Sequence, residues 1–134
     1  MALPFEFCIE GPPVSQQANK KARCRDWRNA VRSAAMSEWD SSQPIDGPVA
    51  VTISYIYEDA SLDVDNVPKP ILDALKNLVY PDDDQVFDLA CHKRSSGGKL
   101  AWPNATSLLR QHAVVRNEFL HVLVDRADVL GGVT

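Results

Sequence analysis

The residues whose chemistry exceeds what a small folded domain needs lie between Asp63 and Gln85. They are Asp63-Val64-Asp65-Asn66-Val67-Pro68-Lys69, then Asp73, then Asp82-Asp83-Asp84-Gln85. Alternate side chains of an extended segment point to one side, so Asp63 and Asp65 are expected to share a pocket. Two carboxylates that close resist joint ionisation unless a cation lies between them or open water surrounds them. A hard ion such as magnesium takes one or two protein carboxylates and keeps its other positions for water and phosphate. An Asp-x-Asp pair alone more often marks a solvated turn, so the surrounding elements must decide.

Those elements can be read from periodicity. Leu3 to Glu10 alternates as a half-buried strand, and Gly11-Pro12-Pro13 stops it. From about Ala22 to Trp39 the spacing becomes helical, with Trp27, Ala30, Val31 and Ala34 on one arc and Arg25, Arg28 and Arg32 on a neighbouring one. Val49 to Glu58 alternates with both sides largely apolar, as a central strand covered on both faces should. It leads straight into the Asp63 pair, and strand ends are common places for sites in α/β sheets. Pro68 and Pro70 can stand only among the first positions of a helix, where backbone donors lack intrahelical partners. The helix therefore begins near Pro68, with Ile71, Leu72, Ala74, Leu75, Leu78 and Val79 on its buried arc and Lys69 in its first turn. After the loop at Tyr80 to Asp84, Gln85 to Lys93 reads as a strand with Phe87, Leu89 and Cys91 on one face. Glu118 to Val124 reads as the last strand. Ala101 to Val115 is poorly legible, a long connection that could enclose a short helix. The expected fold is a single α/β (α+β) domain over residues 1–134. It has a mixed sheet of about four strands and two helices, in the order strand, helix, strand, helix, strand, strand.

Composition narrows the function. The chain has 134 residues, enough to bury a core without staples. Its opening, Met1-Ala2-Leu3-Pro4-Phe5-Glu6, has no basic run before an apolar one and does not read as a signal peptide. With no signal peptide a cytoplasmic location is expected, and no apolar run is long enough to span a membrane. Cys8, Cys24 and Cys91 are odd in number and form no Cys-x-x-Cys, which argues against a disulfide framework or a zinc knuckle. The net charge is −4, which by itself does not suggest nucleic acid. Its distribution does. Lys20, Lys21, Arg23, Arg25, Arg28 and Arg32 stand against only Asp26, whereas half of the eighteen acids fall between Glu58 and Asp88. Local fields rather than totals steer a charged ligand, so Lys20, Lys21, Arg25, Arg28 and Arg32 are candidate phosphate contacts. Such a stripe also suits a merely solvated helix face.

Other metal and phosphate motifs fail on spacing. Counted from Asp63 as an EF-hand, Pro68 falls where the sharp-turn glycine belongs and Ala74 where the bidentate glutamate belongs. No Gly-x-x-x-x-Gly-Lys is present. His92, His112 and His121 are scattered. Lys69 and Asp73 could form an ordinary i, i+4 pair worth a few tenths of a kcal/mol, and Asn66 suits a cap of the helix that follows.

Taken together, Asp63-x-Asp65-Asn66-x-x-Lys69-x-x-x-Asp73-x-Leu75 followed by Tyr80-x-Asp82-Asp83-x-Gln85-Val86 resembles the RusA-like family of Holliday-junction resolvases. The preceding strand, the Gly11-Pro12-Pro13 opening and the basic helix extend the resemblance over roughly residues 5 to 95. It implies a homodimeric, magnesium-dependent endonuclease, with manganese as an alternative ion, that cuts four-way DNA junctions by paired nicks. It also implies that Asp63, Asp65 and Asp83 are catalytic metal ligands and that Lys69 is the essential lysine. Asp82 and Asp84 flank Asp83 and stay open as neighbours or ligands, and Asn66 and Asp73 are candidates for supporting positions. Phosphodiester hydrolysis by metal-activated water needs such a set. Two other classes compete: a non-catalytic nucleic-acid binding module, and a metal-dependent nucleotide phosphohydrolase in which the basic helix is idle.

Overall fold

The structure, a computed structural model, describes residues 3–14, 21–39, 43–59, 62–96, 105–115 and 118–127. Along the chain these form β1 (Phe5–Glu10), α1 (Lys21–Glu38), β2 (Val49–Tyr57), α2 (Pro68–Leu75), β3 (Val86–Ser95), α3 (Ser107–Val115) and β4 (Phe119–Arg126). The strands make one mixed sheet in the order β1-β4-β2-β3. β4 runs antiparallel to β1 and β2, whereas β2 and β3 are parallel. A parallel pair needs a crossover connection, and here α2 supplies it. The class and the four strands match the sequence reading. Among the described residues the α-helices number three rather than two, because the poorly legible segment contains α3.

α1 and α2 cover one face of the sheet. Phe5, Phe7, Val49, Val51, Ile53, Tyr55, Leu120, Val122 and Val124 pack there against Trp27, Val31, Ile71 and Leu75. β2 is buried on both faces, as expected, because α3 covers part of the other side through Leu109 against Ile56 and Phe119. The buried side of α1 is Cys24, Trp27, Val31 and Ala35, so the axis is turned from the expected arc and Ala30 is exposed. That rotation brings Arg28 and Arg32 to the border of the core, where both are half-buried.

α2 is shorter than its apolar pattern suggests. It stops at Leu75, and Asn77 takes a left-handed φ of 67°, a conformation that asparagine tolerates better than most residues. Val79 stays buried, in the turn rather than in the helix. In β3, Val86 pairs with Val49 and Asp88 with Ala50, which leaves Phe87 as the extra residue of a bulge. Phe87 is 64% exposed and does not continue the Leu89–Cys91 face; one inserted residue breaks the period of two.

On the α3 side His121 is buried, with Nε2 3.5 Å from Glu6 Oε1. Thr106 Oγ1 donates to the same Glu6 oxygen at 3.1 Å and accepts from Leu109 N at 3.2 Å. A single hydroxyl thus caps α3 and ties it to β1. No helix among the described residues is long and apolar enough to cross a membrane.

Candidate active site

The site is assembled where the β2–α2 connection, the start of α2 and the α2–β3 turn meet the edge of the sheet. Asp63 is extended, with φ −63° and ψ 147°, but Val64–Asn66 is a 3-10 turn closed by Asn66 N donating to Asp63 O at 2.9 Å. Asp65 therefore does not share an extended segment with Asp63, and alternation is not what relates them. Both nonetheless line one open cleft of about 590 Å³, together with Val64, Cys91, Lys93 and Arg94. The turn folds the connection against β3, and that tertiary contact replaces the expected local rule.

Lys69 stands in the first turn of α2, as Pro68 and Pro70 require. The expected cap by Asn66 is not formed. Val67 holds the N-cap position with no side-chain hydrogen bond, and prolines at the first and third helical positions have already removed two of the donors that a cap would satisfy. Lys69 Nζ donates to Asp73 Oδ1 at 2.9 Å and lies 3.8 Å from Asp83 Oδ2. The i, i+4 pair is thus real, and the same ammonium also reaches a carboxylate from the next turn. Asp73 first, and Asp83 after it, hold the Lys69 pKa above its ordinary value.

The three consecutive acids separate into distinct roles. Asp83–Gln85 is a 3-10 turn with Asp82 at its N-cap. Asp82 Oδ1 accepts from Asp84 N at 3.4 Å, and Asp82 N donates to Gln85 Oε1 at 3.0 Å. Gln85 Nε2 donates to the carbonyls of Ile45 and Gly47, each at 2.9 Å. Asp82 is thereby used to cap the turn, Asp84 is exposed, and only Asp83 of the three pairs with Lys69. Asp83 Oδ1 is buried with no hydrogen-bond partner among the described residues. Tyr80 lies beside it, fully buried, its hydroxyl donating to Leu72 O at 2.9 Å. Burial pushes the Tyr80 phenol up, and the charges of Asp83 and Asp73 push it further.

Among the described residues no three His, Cys, Asp or Glu side chains gather as a ready ligand cluster. Asp63, Asp65 and Asp83 do not form a closed three-carboxylate cage. The donor chemistry still suits a hard divalent ion, which needs one or two carboxylates, and the orphaned Asp83 Oδ1 is the kind of atom such an ion satisfies.

The basic helix divides in the same way. Arg32 Nη1 donates to Ala74 O at 3.1 Å and Lys76 O at 2.9 Å, closing the C-terminal end of α2. The expected phosphate contact at Arg32 is therefore engaged in holding α2. Arg28 Nη1 lies 3.3 Å from Cys24 Sγ. Arg25 is exposed and only 3.8 Å from Asp26, and Lys21 is exposed. Lys20 falls outside the described residues. Two features escaped the sequence reading. Gln85 is the clasp of the Asp83 turn, and Lys93 lines the cleft, as its alternation with Leu89 and Cys91 could have indicated.

Fold and site together define a small α+β protein with an acidic, lysine-bearing cleft at the edge of a mixed sheet. A family model described as endodeoxyribonuclease RusA matches residues 12–100, which contain α1, β2, α2, β3 and every acid of the cleft. The chain belongs to this family of DNA endonucleases. No curated protein is significantly similar to it.

Proposed function

We propose that this protein is a magnesium-dependent, structure-specific endonuclease that resolves Holliday junctions or other branched DNA. The observation that carries this reading is the position of Lys69 Nζ, at the N-terminus of α2 between Asp73 and Asp83. Asp63, Asp65 and Asp83 are the residues that would hold the cation. When bound, a divalent ion supplies positive charge to the phosphoryl oxygens and makes water a competent nucleophile near neutral pH. Lys69 neutralises a non-bridging oxygen of the scissile phosphate, aided by the positive end of the helix. Asp73 keeps the ammonium charged and aimed, while Asp82 and Gln85 keep Asp83 in place. Exposed Lys21 and Arg25 take phosphates further along the strand. Paired nicks on a four-way junction require two such centres, supplied by a homodimer.

The test is cleavage of a labelled four-way junction against linear duplex, with and without magnesium, at defined salt. The wild type is expected to nick the junction only with the ion, and Asp83→Asn and Asp65→Asn to abolish product. Either variant cutting at the wild-type rate would refute the assignment. A second reading, a non-catalytic nucleic-acid binding module, is favoured by the absence of a closed ligand cluster among the described residues. It requires salt-sensitive junction binding with no product under magnesium or manganese.

A further inference from the structure

We propose that Lys93 is a second phosphate seat, in addition to Lys69, that holds the bound DNA strand in the cleft lined by Asp63 and Asp65; this rests on the nuclease reading above. Lys93 is on β3 in register with Tyr55, on the face shared by Leu89 and Cys91. It lines the cleft with Asp63 and Asp65. Its Nζ lies 5.3 Å from the ring centroid of Tyr57, the last residue of β2. An aromatic face holds an ammonium without neutralising it. Among the described residues Lys93 has no carboxylate within ion-pair distance, unlike Lys69, which has two. The neighbouring Arg94 is engaged, donating from Nη1 to the carbonyl of Lys93 at 2.9 Å.

The charge pattern explains why such a residue is needed. A phosphate that approaches two carboxylates is repelled unless positive charge stands in the same cleft, and local charge rather than net charge sets that potential. The cleft is lined by two acids, Asp63 and Asp65, and two bases, Lys93 and Arg94. Lys93 supplies the cation that is free to turn from the Tyr57 ring to an incoming oxygen. A lysine serves here as a point charge, so the contact fixes where the strand lies and carries no base specificity.

The experiment measures junction binding in EDTA, where no cleavage can occur, across a series of salt concentrations. It compares the wild type with Lys93→Gln and Lys93→Arg, with thermal unfolding of each as a control. One lost phosphate contact reduces the slope of log affinity against log salt by about 0.9 and weakens binding by roughly five- to tenfold near 0.1 M salt. Lys93→Gln is expected to show that loss with an unchanged unfolding temperature, and Lys93→Arg to retain the wild-type slope. A purely structural lysine over Tyr57 would lower the unfolding temperature and leave the slope alone, and that result overturns the proposal. So does a Lys93→Gln slope equal to the wild type when the wild type binds and cuts junctions, a result that leaves the nuclease reading standing. If the wild type binds no DNA, both fall together.

Discussion

Gln85 makes the sharpest test of how the cleft is held. Its amide forms three hydrogen bonds: it accepts from Asp82 N at 3.0 Å and donates to Ile45 O and Gly47 O at 2.9 Å each. A typical intramolecular hydrogen bond contributes a net of about 0.5–1.5 kcal/mol, less where water can replace it. Two of these three are exposed, so Gln85→Ala is expected to cost about 2 kcal/mol, or roughly 6 °C in unfolding temperature for a chain of this size. Gln85→Glu is the more discriminating change. It keeps the acceptor for Asp82 N but turns a carboxylate oxygen toward two carbonyl oxygens. Despite its matching shape it should destabilise at least as much as alanine at neutral pH. Burial of that charge among acceptors raises the new carboxyl's pKa. The deficit relative to wild type should therefore shrink as pH falls through that raised value. Both variants loosen the turn that carries Asp83, and small misplacements of a reacting group can cost about a hundredfold in rate. Differential scanning fluorimetry from pH 4 to 8 and single-turnover junction cleavage read the two effects. Gln85→Glu with wild-type stability and cleavage at pH 7 would show that this clasp does not hold the turn.

Other perturbations separate residues that look alike in sequence. Arg32→Met leaves the carbonyls of Ala74 and Lys76 without their charged donor; chemical denaturation should show a loss of about 2 kcal/mol, with the salt slope of DNA binding unchanged. Arg25→Gln should do the reverse, leaving denaturation unaltered and reducing the slope by about 0.9. Lys69→Met should lower single-turnover cleavage by about 10²–10³-fold, the usual effect of removing a group that stabilises transition-state charge, whereas Asp73→Asn should cost less because Asp83 still attracts the ammonium. Burial, opposed by Glu6, depresses the His121 pKa below its ordinary 6.5. The unfolded chain then takes up a proton before the folded one does, so stability present above pH 6.5 is lost as pH falls through the folded-state value. His121→Gln should flatten that part of the unfolding-temperature profile, and an unchanged profile would contradict the assignment.

Features that depend on local chemistry were legible in the residues themselves. Pro68 and Pro70 can only begin a helix, so the start of α2 and the placement of Lys69 in its first turn follow from residue type. The alternation of Val49 to Glu58, largely apolar on both sides despite Thr52 and Ser54, pointed to a strand with cover on both faces. The family resemblance, counted back from Gln85, pointed to Asp83; in the structure Asp82 and Gln85 are drawn into a capping box and Asp83 lies 3.8 Å from Lys69. α3 was legible only as a short helix that a long connection could enclose; its stability comes from Leu109 packing on Ile56 and Phe119 and from Thr106 at its cap. The bulge at Phe87 escaped because register belongs to a pair of strands. Only the tertiary structure distinguished Arg32 from Arg25. Both sit on the same helix with the same charge, but a guanidinium at the border of the core meets the bare carbonyls of α2, while one on the open face meets water. It also decided that Asp63 and Asp65 share a cleft through a 3-10 turn packed against β3 rather than through strand alternation, because which side chains face one another is settled by the surfaces that fold together.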